Sequence, residues 1–247
     1  MNYKMMGKFI GLLLMVESIF MLPALLISLC RQERSSAMAF TAAIVILWGL
    51  GMLLRFFCRG AKKSFFAKEG LVCVGLGWLI MSLLGCLPFF LSGAIPNYVD
   101  ALFEMVSGFT TTGASILEQI EGLPYGILYW RSFSHWLGGM GVLVFLLAIP
   151  MGGEGGSGFT MHLLRAESPG PNVGKLVPKM KQTAQILYIL YIVLTVLNVI
   201  FLLIGGMPVF DAVCTAMGTA GTGGFGIKGD SIAGYSPYLQ NVCTVFM

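Results

Sequence analysis

The sequence predicts an all-α integral membrane protein whose crossing helices alternate with re-entrant loops. Three observations predict it. Charged residues make up only 11% of the 247 positions, against about 25% in soluble domains. Apolar runs of spanning length, about 20 residues, recur along the chain. Between them, two stretches rich in threonine and glycine stand in matched positions. A soluble protein with an outsized core accounts for the 57% hydrophobic content and the mean hydropathy of +0.85, but not for the recurrence of the runs.

The first run, Phe9–Cys30, follows Lys4 and Lys8 and precedes Ala37-Met38-Ala39, an arrangement resembling a secretory signal. It is too long for an ordinary signal core, and a second run, Ala37–Phe57, starts at once, so both read as retained helices. Further spans are expected at Leu71–Leu91, Leu128–Ile149 and Ile186–Ile204, and a sixth begins near Pro237 and stops, unfinished, at Met247.

Orientation follows the lysines and arginines. Eleven of the 15 fall before the first span (Lys4, Lys8), around the second and third (Arg55, Arg59, Lys62, Lys63, Lys68), or between the fourth and fifth (Arg165, Lys175, Lys179, Lys181). The opposite side has only Arg31, Arg34, Arg131 and Lys228. This predicts a cytoplasmic N-terminus. The net charge of +4 does not indicate nucleic acid, because these residues form no basic face. The six cysteines form no CxxC pair and read as small hydrophobes.

The segment Ser92–Ile127 then faces outward with Asp100, Glu104, Glu118 and Glu121 and no lysine or arginine in its loop, a field that attracts cations. "IPNYVDALFEMVSGFTTTGAS" compares with "MPVFDAVCTAMGTAGTGGFGI": proline, Asp-Ala, a short amphipathic stretch, then Thr/Gly-rich residues. Asp100 and Asp211 are 111 positions apart. The chain thus repeats a helix, re-entrant loop, helix unit, as transport proteins often do. Tyr98–Val106 predicts a half-helix capped by Asn97 or Asp100. Its C-terminal end is partially negative and favours a cation. Beyond it, Gly113 permits a backbone that side chains forbid, and carbonyls and threonine hydroxyls replace the water shell of an ion. "FTTTGAS" therefore reads as one wall of an ion filter rather than a polar surface turn.

At these residues a resemblance appears. "SGFTTTGAS", "WRSFSHWLGGMGVLV", "LLRAESPGPNVGKLVPKMKQTA" and "MPVFDAVCTAMGTAGTGGF" resemble the membrane subunit of bacterial Trk-type potassium uptake systems, in the Trk/Ktr/HKT superfamily. The resemblance runs from about Leu71 to the end, and the first two helices match the extra N-terminal pair of the Trk branch. It implies helix–pore loop–helix repeats, four around one pore, each supplying a filter segment with an essential glycine. The expected organisation is an N-terminal helix pair (1–68), a first repeat (69–150), a cytoplasmic linker (151–181) and an incomplete second repeat (182–247), so the chain reads as the N-terminal half of a longer transporter or a truncated product.

The resemblance implies filter residues Thr111, Thr112, Gly113 and Ala114, with Thr222, Gly223 and Gly224 in the second loop, and Asp100 and Asp211 on the pore helices. Potassium is expected at Thr112, Gly113, Thr222 and Gly223, since glycine rather than serine at Gly113 implies potassium over sodium. The second filter glycine is Gly223 by the Thr-Gly match and Gly224 by the count from Asp211; the match is preferred. Potassium is the substrate and no cofactor is expected. The implied setting is the bacterial inner membrane, with a cytosolic nucleotide-binding regulatory subunit on the basic linker and a homodimer of the full-length protein.

Other residues admit other readings. Glu17 lies within the first span, where an acid is functional by default, yet near enough the cytoplasmic end to snorkel. Arg131 is expected to reach the interface or pair with an acid of the outer loop, such as Glu118 or Glu121, with a role at the pore mouth as the lesser alternative. His135 and His162 lack metal-ligand spacing. "GGEGGSG" at 152–158 lacks the Lys-Ser/Thr ending of a phosphate loop. Gly138, Gly139 and Gly141 fit close helix packing. One rival function is a non-conducting assembly or regulatory piece. Another is an intramembrane hydrolase using Ser107 or Ser115 with His135 as base, which leaves the repeated Thr/Gly loop unexplained.

Overall fold

A computed structural model describes residues 2–60, 67–141 and 180–247. Among these residues all regular structure is helical. In chain order the helices are α1 (Tyr3–Phe20), α2 (Leu22–Cys30), α3 (Arg34–Phe57), α4 (Ala67–Gly85), α5 (Leu87–Leu91), α6 (Tyr98–Phe109), α7 (Tyr125–Met140), α8 (Met180–Ile204), α9 (Val209–Ala220) and α10 (Pro237–Phe246).

Four described stretches are long and apolar enough to cross a membrane: Tyr3–Cys30, Arg34–Phe57, Gly70–Leu91 and Gln185–Ile204. Prolines punctuate two of them. Pro23 sits in the first turn of α2, where its missing N–H leaves no bond unmade, and the run breaks at Met21. Pro88 does the same in α5, after a break at Cys86. Of the run expected at Leu128–Ile149, only residues 128–141 are described. Its helix starts at Tyr125 and ends at Met140, because Gly141 takes a left-handed φ of +71°. Residues 142–149 lie outside the described residues, as do His162, the 152–158 glycine run, Lys62, Lys63 and the linker up to residue 179.

The chain divides into two compact units. The first comprises Met1–Phe20, Ile44–Met81 and Gly141–Ile189. Within it, Gly11 of α1 and Gly51 of α3 meet backbone to backbone: a β-carbon on Gly51 would lie 2.7 Å from the Gly11 carbonyl oxygen. Glycine permits that approach. Glu17 is fully buried here, with no hydrogen-bond partner for its carboxylate among the described residues.

The second unit comprises Met21–Ala43, Ser82–Met140 and Leu190–Met247. Its central element is α7, which packs against α2, α6 and α9. Ile127, Trp130 and Leu137 of α7 are buried with Met105 and Phe109 of α6 and Ala212 and Ala216 of α9. Burying a large apolar side chain contributes about 1.5–3 kcal/mol, so α7 anchors the unit. Two aromatic side chains also find hydrogen-bond partners: the Trp130 indole donates to the Gly85 carbonyl at 2.9 Å, and the Tyr191 hydroxyl to the Trp136 carbonyl at 3.1 Å. A second cluster, Leu202, Met207, Ala212, Ala216, Leu239, Val242 and Cys243, joins α8, α9 and α10.

Candidate functional site

The half-helix α6 starts as the sequence dictates. Asn97 takes an extended backbone and its side chain accepts the Val99 N–H at 3.0 Å, while Asp100 stands in the first turn. Carboxylates there complement the helix dipole. In α9 proline occupies the cap position, Asp211 stands in the first turn, and its carboxylate accepts the Tyr235 hydroxyl at 3.0 Å.

Both helices end in the same motif, in which the two residues after the cap fold back to close the last turn. After α6, Thr111 N–H donates to the Gly108 carbonyl (3.1 Å) and Thr112 N–H to Ser107 (3.0 Å). After α9, Thr222 N–H donates to Thr219 (2.9 Å) and Gly223 N–H to Gly218 (3.0 Å). The left-handed residue such a turn requires is normally glycine. Here it is threonine both times, with φ of +53° at Thr111 and +51° at Thr222. A β-branched residue is rarely found there, and the left-handed conformation costs about 1–2 kcal/mol. Strain of this kind gathers at functional sites.

This backbone settles the register of the two loops. Thr111 matches Thr222, and two residues on, Gly113 (φ +75°) matches Gly224 (φ +82°). In backbone register the loops follow the count from Asp211, which pairs Gly113 with Gly224, and not the Thr-Gly match, which pairs it with Gly223. The dipeptide match fails because the first loop has Thr112 where the second has Gly223, so Thr-Gly falls one position earlier in the second loop.

The two loops meet. A β-carbon on Gly113 would collide with the Gly223 carbonyl oxygen. One on Gly224 would meet nothing within 4 Å. Gly223 has a different reason to lack a side chain, because a β-carbon there would run into the His135 ring. Thr112, Ala114, Thr222 and Gly224 are exposed and Gly113 half-buried. The hydroxyls of Thr110 and Thr112 are 2.8 Å apart.

Helix α7 is the wall on which both loops are built. Gly138 leaves room for the Phe109 carbonyl, and a β-carbon on Gly139 would come 2.7 Å from the Gly221 α-carbon. These glycines serve the close approach of helix-to-loop turns. The His135 ring stacks on Phe225 at 3.9 Å between centroids.

Arg131 does not pair with Glu118 or Glu121. It is 2% exposed, and its Nε donates to Oε1 of the fully buried Glu104 at 2.5 Å. A buried guanidinium requires a buried carboxylate, and Glu118 and Glu121 remain at the surface. Its Nη1 donates to the Gly226 carbonyl at 2.7 Å, and its Cζ lies 3.6 Å from the Phe225 ring centroid. Glu104 also accepts the Ser115 hydroxyl at 3.0 Å and the Ile116 N–H at 3.1 Å. One ion pair thus ties α6, α7 and the far ends of both loops. Ser115, a candidate nucleophile by sequence, donates to Glu104 rather than to His135.

Glu104 itself was legible only as one of several acids. The signal that could have found it is its place on the buried face of α6, with Ala101 and Met105. Glu121 accepts the Gly229 N–H at 2.5 Å, and this bond holds its carboxyl below the ordinary glutamate value.

Comparison with known proteins agrees with this architecture. Residues 36–247 match the family described as TrkH, cation transport protein. The Trk system potassium uptake protein TrkH of Halomonas elongata is 38% identical over 251 residues, covering 100% of this chain and 51% of the relative. The Trk system potassium uptake protein TrkG of Escherichia coli is 32% identical over 241 residues, covering 93% of this chain and 47% of the relative. The crystal structure of the potassium transporter TrkH from Vibrio parahaemolyticus superposes with a TM-score of 0.82 at 29% identity, covering 100% of this chain and 49% of that one. The chain spans about half the length of the curated relatives it matches. Matches across nearly the whole chain, in sequence and in fold, leave no place for the hydrolase alternative: the chain belongs to the TrkH family of cation transport proteins and is an all-α, multi-pass membrane protein.

Proposed function

We propose that the segments 110–115 and 221–226 are two walls of a potassium-selective filter, in a protein that takes up potassium across the bacterial inner membrane. The observation that carries this reading is the meeting of Gly113 with the Gly223 carbonyl between two loops of identical backbone register. The relatives named for potassium uptake supply the ion.

The chemistry follows from the backbone. α6 and α9 each lead by their C-terminal, partially negative ends into a filter segment. Carbonyls of Thr111, Thr112, Gly113 and Ala114, and of Thr222, Gly223 and Gly224, are the groups that replace ion hydration. Potassium binds between the Thr112–Gly113 and Gly223–Gly224 pairs, with Thr222 below. The Arg131–Glu104 pair holds the segments at their outer ends. The open side of Gly224 is where further segments of the ring approach, four being the number the family pattern implies.

In the same reading the N-terminus is cytoplasmic, the full protein is a homodimer, and a nucleotide-binding regulatory subunit docks on the basic linker. Rubidium uptake, with sodium as competitor, tests the filter in cells lacking other potassium uptake. Gly113→Ser is expected to lower the preference for potassium and rubidium over sodium. An unchanged preference overturns the assignment. Co-purification with the regulatory subunit tests the docking.

A further inference from the structure

The outer turn between α2 and α3 lies outside the repeats, yet it is built to hold α7. α2 ends at Cys30, and Gln32 takes a left-handed φ of +58°. Gln32 N–H donates to Leu29 (3.1 Å) and Glu33 N–H to Ser28 (2.9 Å), closing α2 in the same motif that ends α6 and α9. The Glu33 carbonyl accepts the Ala37 N–H at 2.9 Å and so opens α3. With its backbone fixed by two helices, Glu33 has few ways to aim its side chain.

That side chain reaches the start of α7. Its two carboxylate oxygens accept the N–H groups of Tyr125 at 2.6 Å and Gly126 at 3.2 Å, 92 and 93 positions away. The first amides of a helix have no partner within it. Pro124, whose carbonyl begins the α7 ladder by accepting Leu128 N–H, has no side-chain oxygen to cap them. Packing locks the same turn: a β-carbon on Gly126 would lie 2.9 Å from the Ala24 carbonyl oxygen and 3.2 Å from the Phe40 ring. The Arg31 guanidinium sits 4.1 Å from the Tyr125 ring centroid, and that ring packs edge-on against Phe210 of α9 at 4.8 Å.

We propose that Glu33 is a positioning residue for the filter, which clamps the first turn of α7 and thereby sets the height at which α7 presents Arg131, His135, Gly138 and Gly139 to the two loops. The proposal rests on the filter reading above. Arg131 lies about 9 Å along the helix from Tyr125, at 1.5 Å per residue, so a rigid α7 carries any shift of its first turn directly to the Glu104 pair.

The test uses the protein as its cell makes it, in two readouts. Hydrogen–deuterium exchange in lipid nanodiscs follows 124–131, 109–116 and 221–227; rubidium uptake against sodium follows selectivity. Glu33→Ala is expected to lose several-fold protection in 124–131, to raise exchange in both filter segments, and to make sodium a several-fold stronger competitor while maximal uptake persists. Glu33→Gln, which keeps one acceptor oxygen, should restore part of both. Gln32→Gly, at a backbone angle glycine favours, should change neither. If Glu33→Ala does not fold, Glu33→Gln carries the test against the native protein. Increased exchange confined to 124–131, with unchanged filter exchange and selectivity, overturns the proposal. Raised filter exchange in a protein that transports no rubidium even with Glu33 in place supports the clamp and overturns the potassium reading.

Discussion

Gly113 and Gly223 stand so close that a β-carbon on the first would run into the carbonyl oxygen of the second. Two residues 110 positions apart in the chain thereby share one backbone contact, and its chemistry dictates what each position tolerates. Gly113→Ala meets two penalties, the left-handed φ and the collision. Gly224→Ala meets only the first among the described residues. The left-handed term is about 1–2 kcal/mol in each. Thermal unfolding should therefore rank Gly113→Ala as the less stable variant. The reverse order would show that Gly224, not Gly113, has the crowded side.

The two threonines that end the half-helices make an opposite prediction. Thr111→Gly and Thr222→Gly release a strained conformation, which should raise stability by up to about 1–2 kcal/mol each. The same change loosens the loops. Melting temperature is expected to rise while selectivity for rubidium over sodium falls. A fall in both would mean that the threonine side chains, rather than the strained turn, hold the loops.

Glu104 and Arg131 form a buried pair. Removing one partner leaves the other charge uncompensated, at a cost of about 3–5 kcal/mol. Glu104→Gln or Arg131→Met should each reduce stability by that order in thermal unfolding. The double change Glu104→Met with Arg131→Met should recover much of the stability, since apolar packing often replaces a buried pair. It should not recover selectivity, because Ser115, Ile116 and Gly226 lose their common anchor. Arg131→Lys should fail too: an ammonium lacks the planar fork that reaches Glu104 and Gly226 together.

The contact between Glu121 and Gly229 gives a pH dependence. The Gly229 N–H lowers the Glu121 carboxyl below its ordinary value. A depressed carboxyl contributes its full stabilisation above the unfolded value, about 4.3, and loses it as pH falls through the folded value. The protection of the Gly229 amide, taken relative to its intrinsic exchange rate at each pH, should therefore fall in the acid range. Glu121→Gln should remove that dependence, and a Gly229 protection factor that is the same at neutral and acid pH would contradict it.

Much of the fold was legible because its signals are local. The four described spans follow from apolar runs, and Pro23 and Pro88 punctuate two of them where helix chemistry demands. The half-helix at Tyr98, its Asn97 cap and the repeat at Asp211 follow from residue types within one or two turns. The partner of Arg131 is not legible, because distance along the chain favours Glu118 and Glu121 over Glu104. The register of the second loop is ambiguous in sequence, because two equal letters compete with a constant spacing.

By itself, then, the amino-acid order determined a membrane-spanning helical protein with two matched half-helices and glycine-bearing loops, because hydropathy, helix capping and left-handed backbone preferences act over a few residues. Only the tertiary structure decided which charges and backbones meet: Arg131 with Glu104, 27 positions away, and with Gly226, 95 away; Glu33 with Tyr125, 92 away. Such partners are selected by helix packing, which brings a buried charge to the one group able to satisfy it, and no short-range pattern encodes that choice.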